Sequence, residues 1–142
     1  MAVVNVNGVS YTNYAADPKK MVDSSSWHGR VRAVYDSYTF SAAEADATST
    51  VKMGRIPTGA RFLSGYLMTD VVFGGTAAWK VEIGSTEVRA AAILNTVNTI
   101  TWFGKNTGTE LTTESDVTLT LSAASTPGTT PKLTCVILYL VD

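Results

Sequence analysis

The side chains able to do chemistry are few in this chain, and their spacing brings no reactive set together. His28 is the only histidine and Cys135 the only cysteine. A nucleophilic triad needs a base beside its nucleophile. His28 adjoins Ser24, Ser25 and Ser26, but sequence neighbours rarely face each other as nucleophile and base. His28 therefore reads as a solvated histidine or one bonded to backbone. Single histidine and cysteine residues rule out zinc sites built from those ligands, and a lone cysteine rules out an intrachain disulfide. Cys135 lies in the apolar run LTCVILYLV, where a buried, inert thiol is expected.

The carboxylates Glu44, Asp46, Asp70, Glu110, Glu114 and Asp116 are scattered over expected loops and strand ends. Glu110, Glu114 and Asp116 are the best candidates for a weak calcium loop, although the dense alternation and glycine of such loops are missing. Any two carboxylates that converge in the fold would make a glycosidase pair, and nothing in the sequence selects two. Gly74-Gly75 is followed by TAAWK, which has the wrong spacing to cradle a phosphate and reads as a tight connection. Lys19-Lys20 and Arg30 with Arg32 are the only basic pairs and read as solvated or interface charges. Trp27, Trp79 and Trp102 are able to stack on sugars. For Trp79 and Trp102, set in apolar strands, core packing is the expectation. The expected picture is no enzyme, no metal and no cofactor.

The elements around these residues are strands. The chain has 142 residues, enough for one domain with a proper core. Its 11 basic and 12 acidic residues leave no field to hold nucleic acid or an anionic membrane. Charged residues make up 16%, while Thr occurs 21 times and Val 16 times, a balance that favours strands and a polar, weakly charged surface. Such a surface suits a protein packed in many copies. The N-terminus MAVVNVNGVSY lacks the basic and long apolar regions of a secretory signal, and the run from Cys135 to Val141 is too short to span a bilayer. These features predict a soluble protein, made in the cytoplasm and released by lysis or assembly.

Residues 51–84 organise the rest. Pro57 and Gly59 predict a reversal between Ile56 and Ala60, with Pro57 as the turn's second residue and Gly59 at positive φ. Beyond it, Phe62, Ser64, Tyr66 and Met68 fall on one face, and Leu63, Gly65 and Leu67 on the other. Large apolar groups on both faces suit the middle of a sandwich or an oligomer contact. Trp79, Val81 and Ile83 alternate with Ala78, Lys80 and Glu82, so that strand has one face on the core.

Strands are also expected near residues 30–40, 96–103, 116–123 and 132–141. In the first, Val31, Ala33 and Tyr35 alternate with Arg30, Arg32 and Val34. In the third, Val117, Leu119 and Leu121 point inward. Helix competes with strand over Thr86 to Asn95, where alanines favour helix. Residues 41–50 form a loop or one helical turn. Residues 1–28 have no sustained period beyond a strand-like piece at Ala2 to Val6, and Asn7-Gly8 is suited to a hairpin turn leading into Val9 to Thr12. They read as an extended N-terminal arm, with residues 29–142 as the domain. Tyr11, Tyr14, Met21 and Trp27 are too apolar for a free tail, so the arm lies against its own domain or a neighbouring subunit. About eight strands without a long helix predict an antiparallel β-sandwich of the jelly-roll type.

The segment KMGRIPTGARFLSGYLMTD followed by AWKVEIG is similar to a family of tailed-bacteriophage virion proteins. Their pattern is a strand, a Gly-x-Ile-Pro-x-Gly-Ala turn, a long strand and a Lys-x-x-Ile-Gly strand. The matching residues are Gly54, Ile56, Pro57, Gly59 and Ala60, then Lys80, Ile83 and Gly84. TELTTESDVTLTLSAAS and KLTCVILYLVD resemble the family's last two strands. The likeness runs from about residue 50 to the end and omits the arm. It implies a jelly-roll or β-sandwich decoration, cement or head auxiliary protein, often a trimer, on the outer surface of a phage head, with the major capsid protein as partner. Nucleic acid and membrane are not expected partners. The alternative is another virion part, such as a head-tail or tail component or a glycan-binding attachment module. Tyr11, Tyr14, Met21 and Trp27 are the candidate contacts to capsid or subunit.

Overall fold

A computed structural model of the chain describes residues 3–8, 12, 15–17, 30–41, 48–74, 77–122 and 130–141. Among them the chain forms strands β1 (Asn5–Asn7), β2 (Arg30–Thr39), β3 (Thr50–Ile56), β4 (Arg61–Thr69), β5 (Ala78–Ile83), β6 (Thr86–Ile93), β7 (Thr101–Phe103), β8 (Ser115–Leu121) and β9 (Lys132–Val141). They build two sheets, ordered β1-β3-β8-β5-β6 and β2-β9-β4-β7. Every strand pair is antiparallel except β1 with β3. Without β1, the two four-strand orders are those of a jelly roll, in which the chain crosses between sheets at every connection but the β5–β6 turn. The protein is an all-β sandwich.

Alternation in the sequence becomes the layer between the sheets. Val51, Met53, Trp79, Val81, Ile83, Val117, Leu119 and Leu121 enter it from one sheet and Leu67, Leu133, Cys135 and Ile137 from the other, all buried. Trp79 is 0% exposed. Its ring meets Phe73 at 5.3 Å and Phe40 at 5.7 Å between centroids, and Phe40 and Phe73 meet edge-on at 5.3 Å. The cluster places Trp79 in the core as expected, although Trp79 Nε1 has no hydrogen-bond partner among the described residues.

Several expectations are corrected. Over Thr86 to Asn95, where helix and strand competed, Thr86–Ile93 forms strand, because pairing of Ile83 with Thr86 and of Trp79 with Ala92 supplies backbone bonds that alanine propensity cannot outweigh. The turn after β3 is shifted by one residue: the Pro57 carbonyl accepts the Ala60 amide at 3.4 Å, so Pro57 is the first residue of the turn. Gly59 has φ 80°, the positive value expected of it. In β4 the register slips between Phe62 and Ser64, a bulge at Leu63. The slip moves Phe62 into the core on the same side as Leu67, whereas strict alternation placed it with Tyr66. The strand expected over 96–103 shrinks to Thr101–Phe103.

Most of the second strand of the hairpin expected at Asn7-Gly8 lies outside the described residues. β1 itself lies beside β3, and the Gly8 carbonyl accepts both the amide and Oγ1 of Thr12, at 3.0 and 2.9 Å. Residues 3–8 are docked on their own sheet: the Val4 amide donates to Ser49 Oγ at 3.1 Å, the Thr50 amide to the Val4 carbonyl at 2.8 Å, and Val4 and Val6 pack on the core.

Candidate functional site

The two outer faces of the sandwich differ in chemistry. On the five-stranded sheet, β3, β8 and β5 turn out Lys52, Asp116, Thr118, Thr120, Lys80 and Glu82. Lys52 Nζ lies 2.9 Å from Asp116, Arg55 Nε 2.5 Å from the same carboxylate, and Lys80 Nζ 3.0 Å from Glu82. Desolvation, the largest single influence on Asp116, raises its pKa. The hydrogen bonds and charges of Arg55 and Lys52 outweigh it and hold the group below the usual carboxylate value. This face is polar, paired and wet.

The outer face of β2-β9-β4-β7 is largely apolar in its middle, with Ser37, Thr134 and Ser64 in the flanking rows. Register puts Tyr35 beside Val136, Val136 beside Tyr66 and Tyr66 beside Trp102, one unbroken row across all four strands. Side chains paired across antiparallel strands share a face, so the row is a physical surface. The Tyr66 and Trp102 rings meet edge-on with centroids 5.1 Å apart. Val31, Tyr35 and Trp102 are 60%, 58% and 60% exposed. Neighbouring rows add Ala33 with Leu138 and Met68 with Thr134. Val136, between the two tyrosines, is itself buried at 6%, so the exposed apolar groups of the face are chiefly Val31, Tyr35 and Trp102.

Trp102 thereby departs from the core packing expected of it. Its strand has three residues at a sheet edge, and alternation sends Phe103 inward, where it stacks on Phe62 at 6.2 Å, and Trp102 outward. The signal available in the sequence was the pair of apolar faces on residues 61–69. Without knowing the strand order, nothing joined Tyr66 to Tyr35 and Trp102.

The other candidate residues fall apart as sites. Tyr11, Tyr14, Met21, Trp27 and His28 lie outside the described residues. Glu110 is engaged by Arg61, while Glu114 is engaged by Arg55 and Asp116 by Arg55 and Lys52, so the suggested calcium ligands are taken up by separate cations. Cys135 is buried, and burial with the nearby Asp36 charge pushes its thiol pKa up, which makes it inert. Arg89 is buried in the irregular β5–β6 pairing, where Nη1 donates to the carbonyls of Trp79 and Ala92. Burial lowers its pKa, and its role is to satisfy that backbone.

No family model matches the sequence, and no match is found among curated proteins. The fold has solved likenesses. A chain of the cyanophage Pam1 capsid asymmetric unit superposes with a TM-score of 0.64 at 14% identity, covering 89% of this chain and 96% of that one. A chain of the capsid of Ralstonia phage GP4 superposes with a TM-score of 0.58 at 16% identity, covering 87% of this chain and 92% of that one. At such identities the likeness establishes the fold: a jelly-roll sandwich of the kind found in those two capsids.

Proposed function

We propose that the protein is a structural virion protein of a tailed phage, and within that class a decoration or cement protein that binds the outside of the head and stabilises it. The observation that carries the reading is the likeness, along 89% of the chain, to a chain solved in a phage capsid. The two-faced sandwich supports it, since a shell-bound protein needs one face to bury and one to leave in water. In this reading the partners are the major capsid protein and further copies of the chain, grouped as a trimer, with no nucleic acid or membrane. The protein is not an enzyme, and it sits on the capsid surface. Within residues 1–28, β1 is part of the sandwich, and the remainder acts as an attachment arm, with Tyr11, Tyr14, Met21 and Trp27 as contacts.

The test is to image purified particles by cryo-microscopy and to quantify the protein in them. Decoration requires copies at regular sites on the outside of the shell, in numbers comparable with the capsid protein. A few copies at the tail, or none on particles, defeats the reading.

Trp102 favours a second reading, a glycan-binding attachment module, because an exposed indole in a flat row is able to stack on a sugar ring. That reading requires glycan binding that disappears in Trp102→Ala.

A further inference from the structure

The outer face of the four-stranded sheet has the anatomy of an interface core. The row Tyr35, Val136, Tyr66 and Trp102 and its flanking residues Leu138 and Met68 carry no formal charge. Charged groups stand at the two ends of the strands, and at each end both signs are present. Arg61 is paired with Glu110 at one end. At the other, the Lys132 amide donates to Asp70 Oδ1 at 2.6 Å. An apolar centre of Tyr, Trp, Met and aliphatic residues with a polar rim is the arrangement of surfaces that are buried permanently or repeatedly, and it is most pronounced between identical subunits.

We propose that this face binds a second copy of the same chain. A charge-free centre meets its own copy without like-charge repulsion, and rims carrying both signs leave either relative orientation open to favourable contacts. Nucleic acid would need cations in the row, and it has none.

Size sets the strength of the contact. Four strands about 4.8 Å apart, over roughly 20 Å of charge-free length, give a footprint on the order of 400 Å² per copy. A standard specific interface takes about 800 Å² per partner. The contact is therefore reversible and depends on concentration, and it adds to whatever else holds copies together. The inference stands on the surface alone and does not require the virion reading.

The test is sedimentation equilibrium of the full chain from low micromolar to hundreds of micromolar, for wild type and for Trp102→Lys and Tyr35→Lys. Both side chains are largely exposed, so circular dichroism and melting should report intact folds. Ser85→Lys, on the exposed β5–β6 turn, serves as the control. The expected result is concentration-dependent self-association of the wild type and the control, with a dissociation constant raised at least about tenfold in the two row variants. A wild type that stays monomeric throughout overturns the proposal, as does an oligomer indifferent to both variants. Capsid binding is measured in parallel. A monomer whose capsid binding is lost in Trp102→Lys assigns the face to the shell and overturns the proposal while leaving decoration standing. Self-association sensitive to the row, in a protein that binds no capsid, upholds the proposal and sinks decoration.

Discussion

Gly54 of β3 lies directly beneath Val34 of β2. A Cβ placed at position 54 would stand 2.6 Å from Val34 Cγ1, closer than real Cβ contacts come. Gly54 also has φ 98° and sits where the β3–β8 register slips between Lys52 and Arg55. One residue thus permits both the bulge and the close approach of the two sheets. Gly54→Ala should destabilise the protein by roughly 1–3 kcal/mol from overpacking and about 1–3 kcal/mol more from backbone strain. Adding Val34→Ala should recover the first part and leave the second. Chemical denaturation of the single and double variants measures both, and an additive double variant would show that Val34 is not the obstacle.

Gly59 separates strain from packing. Its φ is 80°, but nothing stands within 4 Å of a Cβ built there. Gly59→Val should therefore cost only the strain of a β-branched residue at positive φ, on the order of 1–3 kcal/mol. Gly59→Asn should cost clearly less, since asparagine tolerates that region. Equal melting temperatures for wild type and the valine variant would contradict the turn geometry.

The tryptophans at 79 and 102 should respond oppositely. Trp79→Ala removes a fully buried ring from the Phe40–Phe73 cluster and should cost about 3–5 kcal/mol. Trp102→Ala removes an exposed ring and should change monomer stability by roughly 0.5 kcal/mol or less. A marked loss of stability in the second variant would mean that the outer row belongs to the domain's own core.

Asp116 ties stability to acid. Its pKa in the fold is held below the ordinary value, so the unfolded chain binds the proton more readily as pH falls. Its contribution is present above the unfolded carboxylate pKa, near 4, and is lost as pH drops through the lower folded value. Asp116→Asn should flatten the fall in stability below about pH 4. Identical pH profiles for variant and wild type would show that Arg55 and Lys52 do not favour the ionised form in the fold.

How much was legible follows the range of the interaction. Alternation identified β5 and β8 residue by residue, because Trp79, Val81, Val117 and Leu119 each need only a core on one side. It failed where a long-range partner decides the outcome. Ala90 to Ala92 become strand only because β5 lies alongside, and Phe62 turns inward only because Leu63 bulges against β9. The outer row was the least legible, since Tyr35, Val136, Tyr66 and Trp102 are far apart in the chain and meet only through strand order. Composition pointed to a protein that packs with others, and it could not say through which face.

Two truncations should separate the two halves of the N-terminal segment. Residues 3–8 belong to the sandwich: β1 adds to the edge of β3, the Val4 amide reaches Ser49 Oγ, Thr50 Oγ1 donates to Asn5 Oδ1 at 2.6 Å, and Val4 and Val6 cover the core. Each such hydrogen bond contributes about 0.5–1.5 kcal/mol net, and the two valines add burial. Removing residues 2–8 should therefore lower the melting temperature by several degrees while β2 to β9 remain folded by circular dichroism. If the remainder of the arm serves attachment and not folding, removing residues 2–26 should cost no more stability than removing 2–8. It should, however, abolish binding to capsids stripped of the protein, because Tyr11, Tyr14 and Met21 go with it. The shorter truncation should still bind. A much larger loss of stability in the longer truncation would place residues 9–26 in the domain's own core. Full capsid occupancy by the longer truncation would remove the arm from the contact and leave the sandwich to make it.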